Sequence, residues 1–130
     1  MGTGKVTILC VDDEQIAREL RRLILIRQGY EVITASSGAE AVELLRTGGI
    51  DLVLSDQMMP GMTGTELAKV VRFEWPKLPF LLVSGVNEIP IGAELADRFV
   101  SKVAGPDVLF ASIREVLSEY GHTSVETQED

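Results

Sequence analysis

Short apolar runs alternate along this chain with stretches in which apolar residues recur every three or four positions. The runs have almost no polar break, as is typical of strands covered on both faces in a parallel sheet. Strands that alternate with helices predict parallel pairing, right-handed crossovers and helices on both faces. The expected fold is therefore α/β, doubly wound around a five-stranded parallel sheet. The strands are predicted at Val6–Val11, Glu31–Ala35, Leu52–Asp56, Phe80–Val83 and Arg98–Ser101.

Signals for helix ends predict the elements between these strands. Serine or threonine followed three residues later by glutamate has the form of a capping box. Glycine commonly follows the last turn of a helix, and proline is favoured in the first. Helices are predicted at Glu14–Gln28, from Ser37 to Gly48, from Thr63 to about Glu74, and from Gly105 to about Tyr120.

The first predicted helix carries both apolar residues and arginines. Ile16 and Leu20 begin a series of apolar residues spaced by three and four positions. Arg18, Arg21 and Arg22 fall in the same stretch. We interpret these arginines as a solvated helix face rather than a basic binding patch.

The segment from Gly85 to Asp97 is the weakest part of the pattern. It contains Asn87, Pro90 and Gly92, and it offers at most about two helical turns. A helix between the fourth and fifth strands is therefore expected to be short or degraded.

Composition limits the functions that are open to the chain. Its 130 residues correspond to about one domain. The net charge of −8 argues against direct, non-specific nucleic-acid binding, which needs lysine and arginine to neutralise phosphates. The only cysteine, Cys10, lies in an apolar run and is expected to be a buried, inert thiol. We expect a folded domain over residues 1–121 and an acidic, disordered tail over residues 122–130.

The chain shows no signal for a membrane. No apolar stretch approaches the roughly 20 residues of a membrane span. The first residues lead directly into a predicted strand, without the apolar region and cleavage site of a signal peptide. These features predict a cytoplasmic protein with no membrane partner.

Two of the apolar runs end in aspartate. Asp12 and Asp13 follow the first run, and Asp56 ends the third. Because ligand sites in parallel sheets lie beyond the carboxyl ends of the strands, these three carboxylates are expected to meet at one edge. Packed anions repel one another and resist desolvation, so the cluster requires a cation. A hard divalent ion such as Mg2+ suits oxygen ligands best.

A hydroxyl and an amine are expected at the same edge, because Ser84 and Lys102 follow the fourth and fifth strands. Polar residues can also follow strands simply because strand ends contact water. This explains one or two such residues, but explains poorly a set of three acids, one hydroxyl and one amine. The only histidine, His122, lies near the C-terminus, so the chain lacks the ligands and bases of zinc sites and Ser-His-Asp sites. Metal-assisted phosphoryl transfer with an aspartate nucleophile remains.

These motifs resemble the receiver domain of two-component response regulators. The resemblance covers about Lys5 to Tyr120 and is most specific in an Asp-x-x-Met-Pro-x-x-x-Gly stretch. It implies a flavodoxin-like sheet with strand order 2-1-3-4-5. The matching residues are Asp12-Asp13, Asp56-Gln57-Met58-Met59-Pro60 with Gly64, Val83-Ser84-Gly85, and Lys102 followed by Gly105-Pro106.

The resemblance implies that Asp56 accepts a phosphoryl group from a phosphohistidine on a histidine kinase or histidine phosphotransfer protein. Asp13 is expected to bind Mg2+ directly and Asp12 through water. Asp56 and the backbone carbonyl of Met58 are expected to complete the protein ligands. A protein of this kind catalyses only its own phosphorylation and dephosphorylation.

The remaining matched residues are expected to sense the phosphate. Lys102 is expected to pair with Asp56 and then with the phosphate, while Ser84 hydrogen-bonds a phosphoryl oxygen. Phe99 matches the family's switch aromatic. Met58 and Val86 flank the predicted site, and we expect these apolar side chains to shield the acyl phosphate from water.

Three features depart from the family pattern. Val103 replaces the usual proline after Lys102, so the preceding peptide is either cis, at a cost of about 2.5–4 kcal/mol, or trans. Ala104 replaces a larger apolar residue. Only 17 residues separate Ser84 from Lys102, several fewer than usual, which shortens the region that forms the family's output face.

Two functions therefore stay open. The first is a phosphorylation switch that acts on an unknown output partner or fused domain. The second is a docking module with the receiver fold that acts independently of phosphorylation. Flavin binding is disfavoured because the acidic residues after the first strand would repel a flavin phosphate.

Overall fold

The computed structural model describes residues 4–85 and 89–121. Within them, five parallel strands form one sheet in the order 2-1-3-4-5, which confirms the predicted fold class. The predicted tail over residues 122–130 and Val86 lie outside the described residues. The strands are β1 (Thr7–Val11), β2 (Glu31–Ala35), β3 (Leu52–Asp56), β4 (Phe80–Ser84) and β5 (Arg98–Ser101).

Four α-helices cover the sheet: α1 (Gln15–Arg27), α2 (Gly38–Arg46), α3 (Gly64–Glu74) and α4 (Pro106–Glu119). The capping box at α3 is confirmed, because the Thr63 and Glu66 side chains each accept a backbone N–H of the other residue. At α2 the prediction holds only in part. Ser37 caps the helix, but the Glu40 carboxylate accepts from the N–H of Ser36.

Two hydrophobic cores lie on opposite faces of the sheet because successive strand residues point in opposite directions. One core packs against α2 and α3, and the other packs against α1 and α4. The first contains Leu9, Val11, Val53, Leu82, Leu45 and Leu67, and the second contains Ile8, Leu54, Leu81, Leu25, Ile113 and Val116.

The apolar series in α1 predicted the helix, but its first residues lie off the buried face, and only Ile24 of the series packs against the second core. Ile16 is 85% exposed and Leu20 is 60% exposed, whereas Leu25 is fully buried. Residues four apart share a helix face, so Arg21 lies on the same inner face as Leu25. An apolar stripe in the sequence would normally mark the inner face of a helix. Here an arginine interrupts that stripe.

The segment between β4 and β5 forms no α-helix in its described part. Its one helical element is a short 3-10 turn at Ala93–Leu95, which confirms the short or degraded fourth helix.

A polar network anchors the end of this segment. Asp97 accepts hydrogen bonds from Arg72 of α3 at 2.6 Å, from the N–H of Phe80 at 2.8 Å and from the Tyr120 hydroxyl at 2.8 Å. Arg72 also donates to the carbonyl of Leu95 at 2.8 Å. These bonds tie α3, β4, β5 and the end of α4 together at the edge of the sheet opposite the carboxyl ends of the strands.

Two further points bear on the sequence predictions. No peptide bond in the described part of the chain is cis, so the Lys102–Val103 peptide is trans. None of the helices that the structure describes has the length and apolar character needed to cross a membrane.

Candidate functional site

Strand register brings the predicted site residues to one edge of the sheet. Asp56 of β3 pairs with Val83 of β4, and Ser84 pairs with Ser101 of β5. The Lys102 N–H continues the last ladder by donating to the carbonyl of Ser84 at 2.9 Å. The carboxyl ends of these strands are therefore level, and the residues that follow them share one rim.

Three carboxylates cluster at this rim, as predicted. Asp12, Asp13 and Asp56 each place an oxygen so that the three atoms lie within 4.8 Å of one another. Asp12 and Asp56 are buried, while Asp13 is exposed. Buried carboxylates this close together repel, so the arrangement is stable only with positive charge nearby. The donor set consists of oxygens alone, which fits a hard divalent cation.

Lys102 supplies one of the compensating charges. Its ammonium nitrogen lies 2.8 Å from Asp56 Oδ1. Asp56 Oδ1 accepts no aligned hydrogen bond from the described residues, so this contact is an ion pair. Burial raises the pKa of Asp56 above its ordinary value, the Lys102 ammonium opposes the rise, and the Asp12 carboxylate adds to it. The net pKa of Asp56 is raised.

Arg21 and Arg18 supply further positive charge, which the sequence reading missed. Arg21 Nη1 lies 3.3 Å from Asp12 Oδ2, and Arg18 Nη1 donates to the Asp12 carbonyl at 2.8 Å. The prediction of a solvated face is therefore wrong for both residues. Arg22 fits it better, since this arginine pairs with Glu19 in the neighbouring turn. The spacing could have predicted the burial of Arg21, because Arg21 lies one helical turn before Leu25 and therefore on the same inner face.

Ser84 lies at the end of β4 and is fully buried. Phe99 lies on β5, is partly buried and packs against the core under α2 and α3. Met58 lies two residues beyond Asp56, and its side chain is 65% exposed. Ser84 thus lies on the strand beside Asp56, whereas Phe99 lies one strand further along the sheet.

The loop after Asp56 is fixed by the first turn of α3. Gly64 donates its N–H to the carbonyl of Gln57 at 3.0 Å. A Cβ at Gly64 would lie 2.5 Å from the Asp56 carbonyl oxygen, so only glycine permits this approach. The Gln57 side chain accepts the N–H of Thr65 at 2.9 Å. These contacts hold the backbone of the candidate nucleophile against the helix.

Cys10 is not a second nucleophile. It is fully buried, as predicted. Burial raises the pKa of its thiol to about 11, so the reactive thiolate is scarce at neutral pH.

Comparison with known proteins identifies the family. The response regulator receiver domain model matches residues 8–114. PhoP, the alkaline phosphatase synthesis transcriptional regulatory protein of Bacillus subtilis, is 36% identical over 129 residues, which cover 95% of this chain and 54% of PhoP. HoxA, the hydrogenase transcriptional regulatory protein of Cupriavidus necator, is 33% identical over 126 residues, which cover 93% of this chain and 26% of HoxA. The chain thus spans between a quarter and a little over half of these relatives.

Solved structures agree with the family match. TrrA, a response regulator protein from Thermotoga maritima in complex with Mg2+-BeF, superposes with a TM-score of 0.82 and 33% identity over 86% of this chain and 99% of TrrA. TrrA in complex with the histidine kinase ThkA gives a TM-score of 0.80 and 33% identity over 86% of this chain and 98% of TrrA. With most of its length matched by the family model, this chain belongs to the receiver domains of two-component response regulators.

Proposed function

We propose that Asp56 is the phosphoacceptor of this receiver domain. One observation carries the proposal: Asp56 belongs to the cluster of three carboxylates and is the member that pairs with Lys102. An oxygen of Asp56 attacks the phosphorus of phosphohistidine while the phosphorus–nitrogen bond breaks. The departing imidazole nitrogen keeps the bonding pair and takes up a proton from solvent, leaving an aspartyl phosphate.

Asp12, Asp13, Asp56 and the backbone carbonyl of Met58 are the proposed ligands of Mg2+. When bound, the ion neutralises charge on the phosphoryl oxygens and on the acids that hold it. TrrA, which binds Mg2+-BeF, is the related structure that supports this choice of metal.

Lys102 and Ser84 are the proposed sensing groups. Phosphorylation adds about 1.5–2 negative charges and three acceptor oxygens. Lys102 already lies beside Asp56, so it can follow the new charge. We expect the buried Ser84 hydroxyl, at the end of the adjacent strand, to donate to a phosphoryl oxygen once the phosphate is bound. A local charge that favours one arrangement of the loop after β4 makes a switch, and Phe99 is its proposed aromatic reporter.

The proposed phosphodonor is a histidine kinase or a histidine phosphotransfer protein. The complex of TrrA with ThkA supports a kinase partner. Ile16, Leu20 and Val103 are exposed apolar residues in the segments that follow Asp13 and Lys102. We call these three residues the rim patch. A phosphodonor must bring its histidine to the acidic rim, so the rim patch is in a position to contact it.

The output is proposed to pass through a binding partner or a fused domain, since the curated relatives are longer than this chain. The acidic net charge disfavours direct nucleic-acid binding by the receiver domain itself. We propose that the protein acts in the cytoplasm and that its catalysis is limited to its own phosphorylation and dephosphorylation.

Phosphate transfer is tested with acetyl phosphate and Mg2+ followed by intact mass measurement. We expect the wild-type protein to gain one phosphoryl group, Asp56→Ala to gain none, and Asp107→Ala, at an exposed site in the first turn of α4, to behave as wild type. Loss of the gain in the presence of EDTA would support the metal requirement.

A second candidate is the docking module that acts without phosphorylation. The replacement of the fourth helix by a short 3-10 turn favours it, because the usual output face is altered. Wild-type protein that gains no phosphoryl group and shows no Mg2+-dependent change would support this function instead.

A further inference from the structure

Arg21 is a cation built into the acidic cluster. Its side chain is only 12% exposed, and its guanidinium lies 3.3 Å from the fully buried carboxylate of Asp12. An ion pair at this depth is expensive to desolvate, and an apolar residue could fill the same inner position of α1. A stabilising role for the pair alone is therefore a weak explanation for the arginine.

Positive charge from the protein already compensates much of the cluster. Lys102 pairs with Asp56, Arg21 pairs with Asp12, and the Arg18 guanidinium binds the Asp12 carbonyl. Of the three acids, Asp13 is the exposed one. The buried part of the site is close to neutral in this arrangement, which explains how three carboxylates fold together.

The pairing also occupies the oxygens of Asp12. Its Oδ1 accepts the N–H of Glu14 at 2.9 Å, and its Oδ2 faces Arg21. An ion held by the three acids would therefore lie close to a guanidinium. Two cations near one another in a buried site repel more strongly than they would in water.

The structure leaves space for Arg21 to withdraw. A cavity of about 370 Å3 lies between α1 and the start of α4, and Arg21, Ala17, Lys102, Ala104 and Pro106 are among the residues that line it. The small Ala104 side chain helps to keep this cavity open. A guanidinium displaced from Asp12 has this space beside it, next to Val83, Val100 and Leu109 of the second core.

We propose that Arg21 is an intrinsic counter-ion that competes with the divalent cation for Asp12 and so sets a weak metal affinity. Arg21 holds the acids together when no ion is bound and leaves Asp12 when one binds. It acts through Asp12 and is a positioning residue. The inference rests on the proposed metal site.

Calorimetric titration of Mg2+ into the full chain tests this competition. We expect Arg21→Met to bind Mg2+ about tenfold more tightly than wild type, because a unit charge beside the ion is removed. Arg22→Met, one residue further on the same helix, is expected to change the dissociation constant by less than about twofold, since exposed charges are well screened. Arg21→Lys keeps the charge and is expected to lie closer to wild type than to Arg21→Met.

Thermal unfolding gives a second measurement. Arg21→Met is expected to melt below wild type without Mg2+, since Asp12 loses its partner, and to gain more than wild type when Mg2+ is added. Arg22→Met is expected to gain as much as wild type.

Three outcomes would overturn the inference. Equal Mg2+ affinity in wild type and Arg21→Met, with Asp13→Asn abolishing binding, would overturn it while leaving the proposed metal site intact. Weaker binding by Arg21→Met would show that the arginine orients Asp12 as a ligand instead. No Mg2+ binding by any of the folded variants would remove both the inference and the metal part of the proposed function.

Discussion

Asp56 differs from the other acids of the site in its charge balance. It is buried, lies beside Asp12 and has Lys102 as its close cation. Burial raises its pKa, and the lysine only partly opposes this. A carboxylate in this condition has lost hydration that a phosphoryl group and its metal could replace. The residue that performs the proposed chemistry is therefore one that destabilises the unphosphorylated fold.

Because ionised Asp56 destabilises the fold, the effect of Asp56→Asn on the free energy of unfolding is expected to depend on pH. A raised folded-state pKa means that ionised Asp56 opposes folding above that pKa, while a protonated Asp56 does not. The variant is expected to raise the free energy of unfolding by about 1 kcal/mol at neutral pH. The gain is expected to shrink toward zero near about pH 3, where the carboxyl is protonated in both states. Urea unfolding at the two pH values measures it.

Asp107→Asn serves as the matched control because that carboxylate is exposed. It is expected to show no comparable gain at neutral pH. An Asp56→Asn variant that is less stable than wild type at neutral pH would contradict the charge balance described for this site.

Met58 tests the shielding of the phosphate. Its side chain is 65% exposed and lies two residues beyond Asp56. Met58→Asn introduces an amide that can hold water near the acyl phosphate, so we expect the lifetime of the phosphorylated protein to fall by about threefold or more. Phe73→Asn, on the exposed surface of α3, is the control. A lifetime in Met58→Asn equal to that of the control would rule out shielding by this residue.

At the scale of elements, the segment between β4 and β5 differs most from a standard receiver. A 3-10 turn stands where a helix is usual. A packed helix would hold this segment through apolar contacts. Here the Asp97 network holds it through hydrogen bonds to α3, β4 and the end of α4. All three bonds join residues more than 15 positions apart, and they fix the start of β5. The position of Lys102 at the other end of β5 depends on that strand being held in register.

Asp97→Ala is therefore expected to destabilise the fold by about 2–3 kcal/mol, because Arg72 loses its carboxylate partner and the Tyr120 hydroxyl loses its acceptor. Glu119→Ala, which removes an exposed ion pair with Arg98, is expected to cost less than about 1 kcal/mol. Urea unfolding measures both. Equal effects of the two substitutions would show that the network does not replace the missing helix.

At the scale of the whole molecule, the sequence predicted the sheet, its strand order and the acidic rim. The sheet and the rim follow from local signals: unbroken apolar runs, capping residues at α3 and polar residues placed directly after strands. The strand order 2-1-3-4-5 came from the resemblance to receiver domains. The shortened fourth helix followed from a count of residues between Ser84 and Lys102. The sequence did not predict the buried face of α1 or the pairing of Arg21 with Asp12. Both depend on the angle at which the helix packs, which residue spacing does not determine.

The same limit applies to the Asp97 network. Arg72, Asp97 and Tyr120 lie far apart in the chain, and the sequence around each gives no sign of the other two. Only the assembled sheet brings them together. Residues placed directly after a strand could thus be predicted, while side-chain pairs that depend on how a helix packs against the sheet required the structure.

The central claim is that one carboxylate of three receives the phosphoryl group. The most direct test is to treat the protein with acetyl phosphate and Mg2+, reduce the product with borohydride, and locate the modified residue by peptide fragmentation. Borohydride converts an aspartyl phosphate to homoserine, which marks the site permanently. We expect homoserine at position 56 and unmodified aspartate at positions 12 and 13. Modification at either of those two positions, or no modification at all, would contradict it.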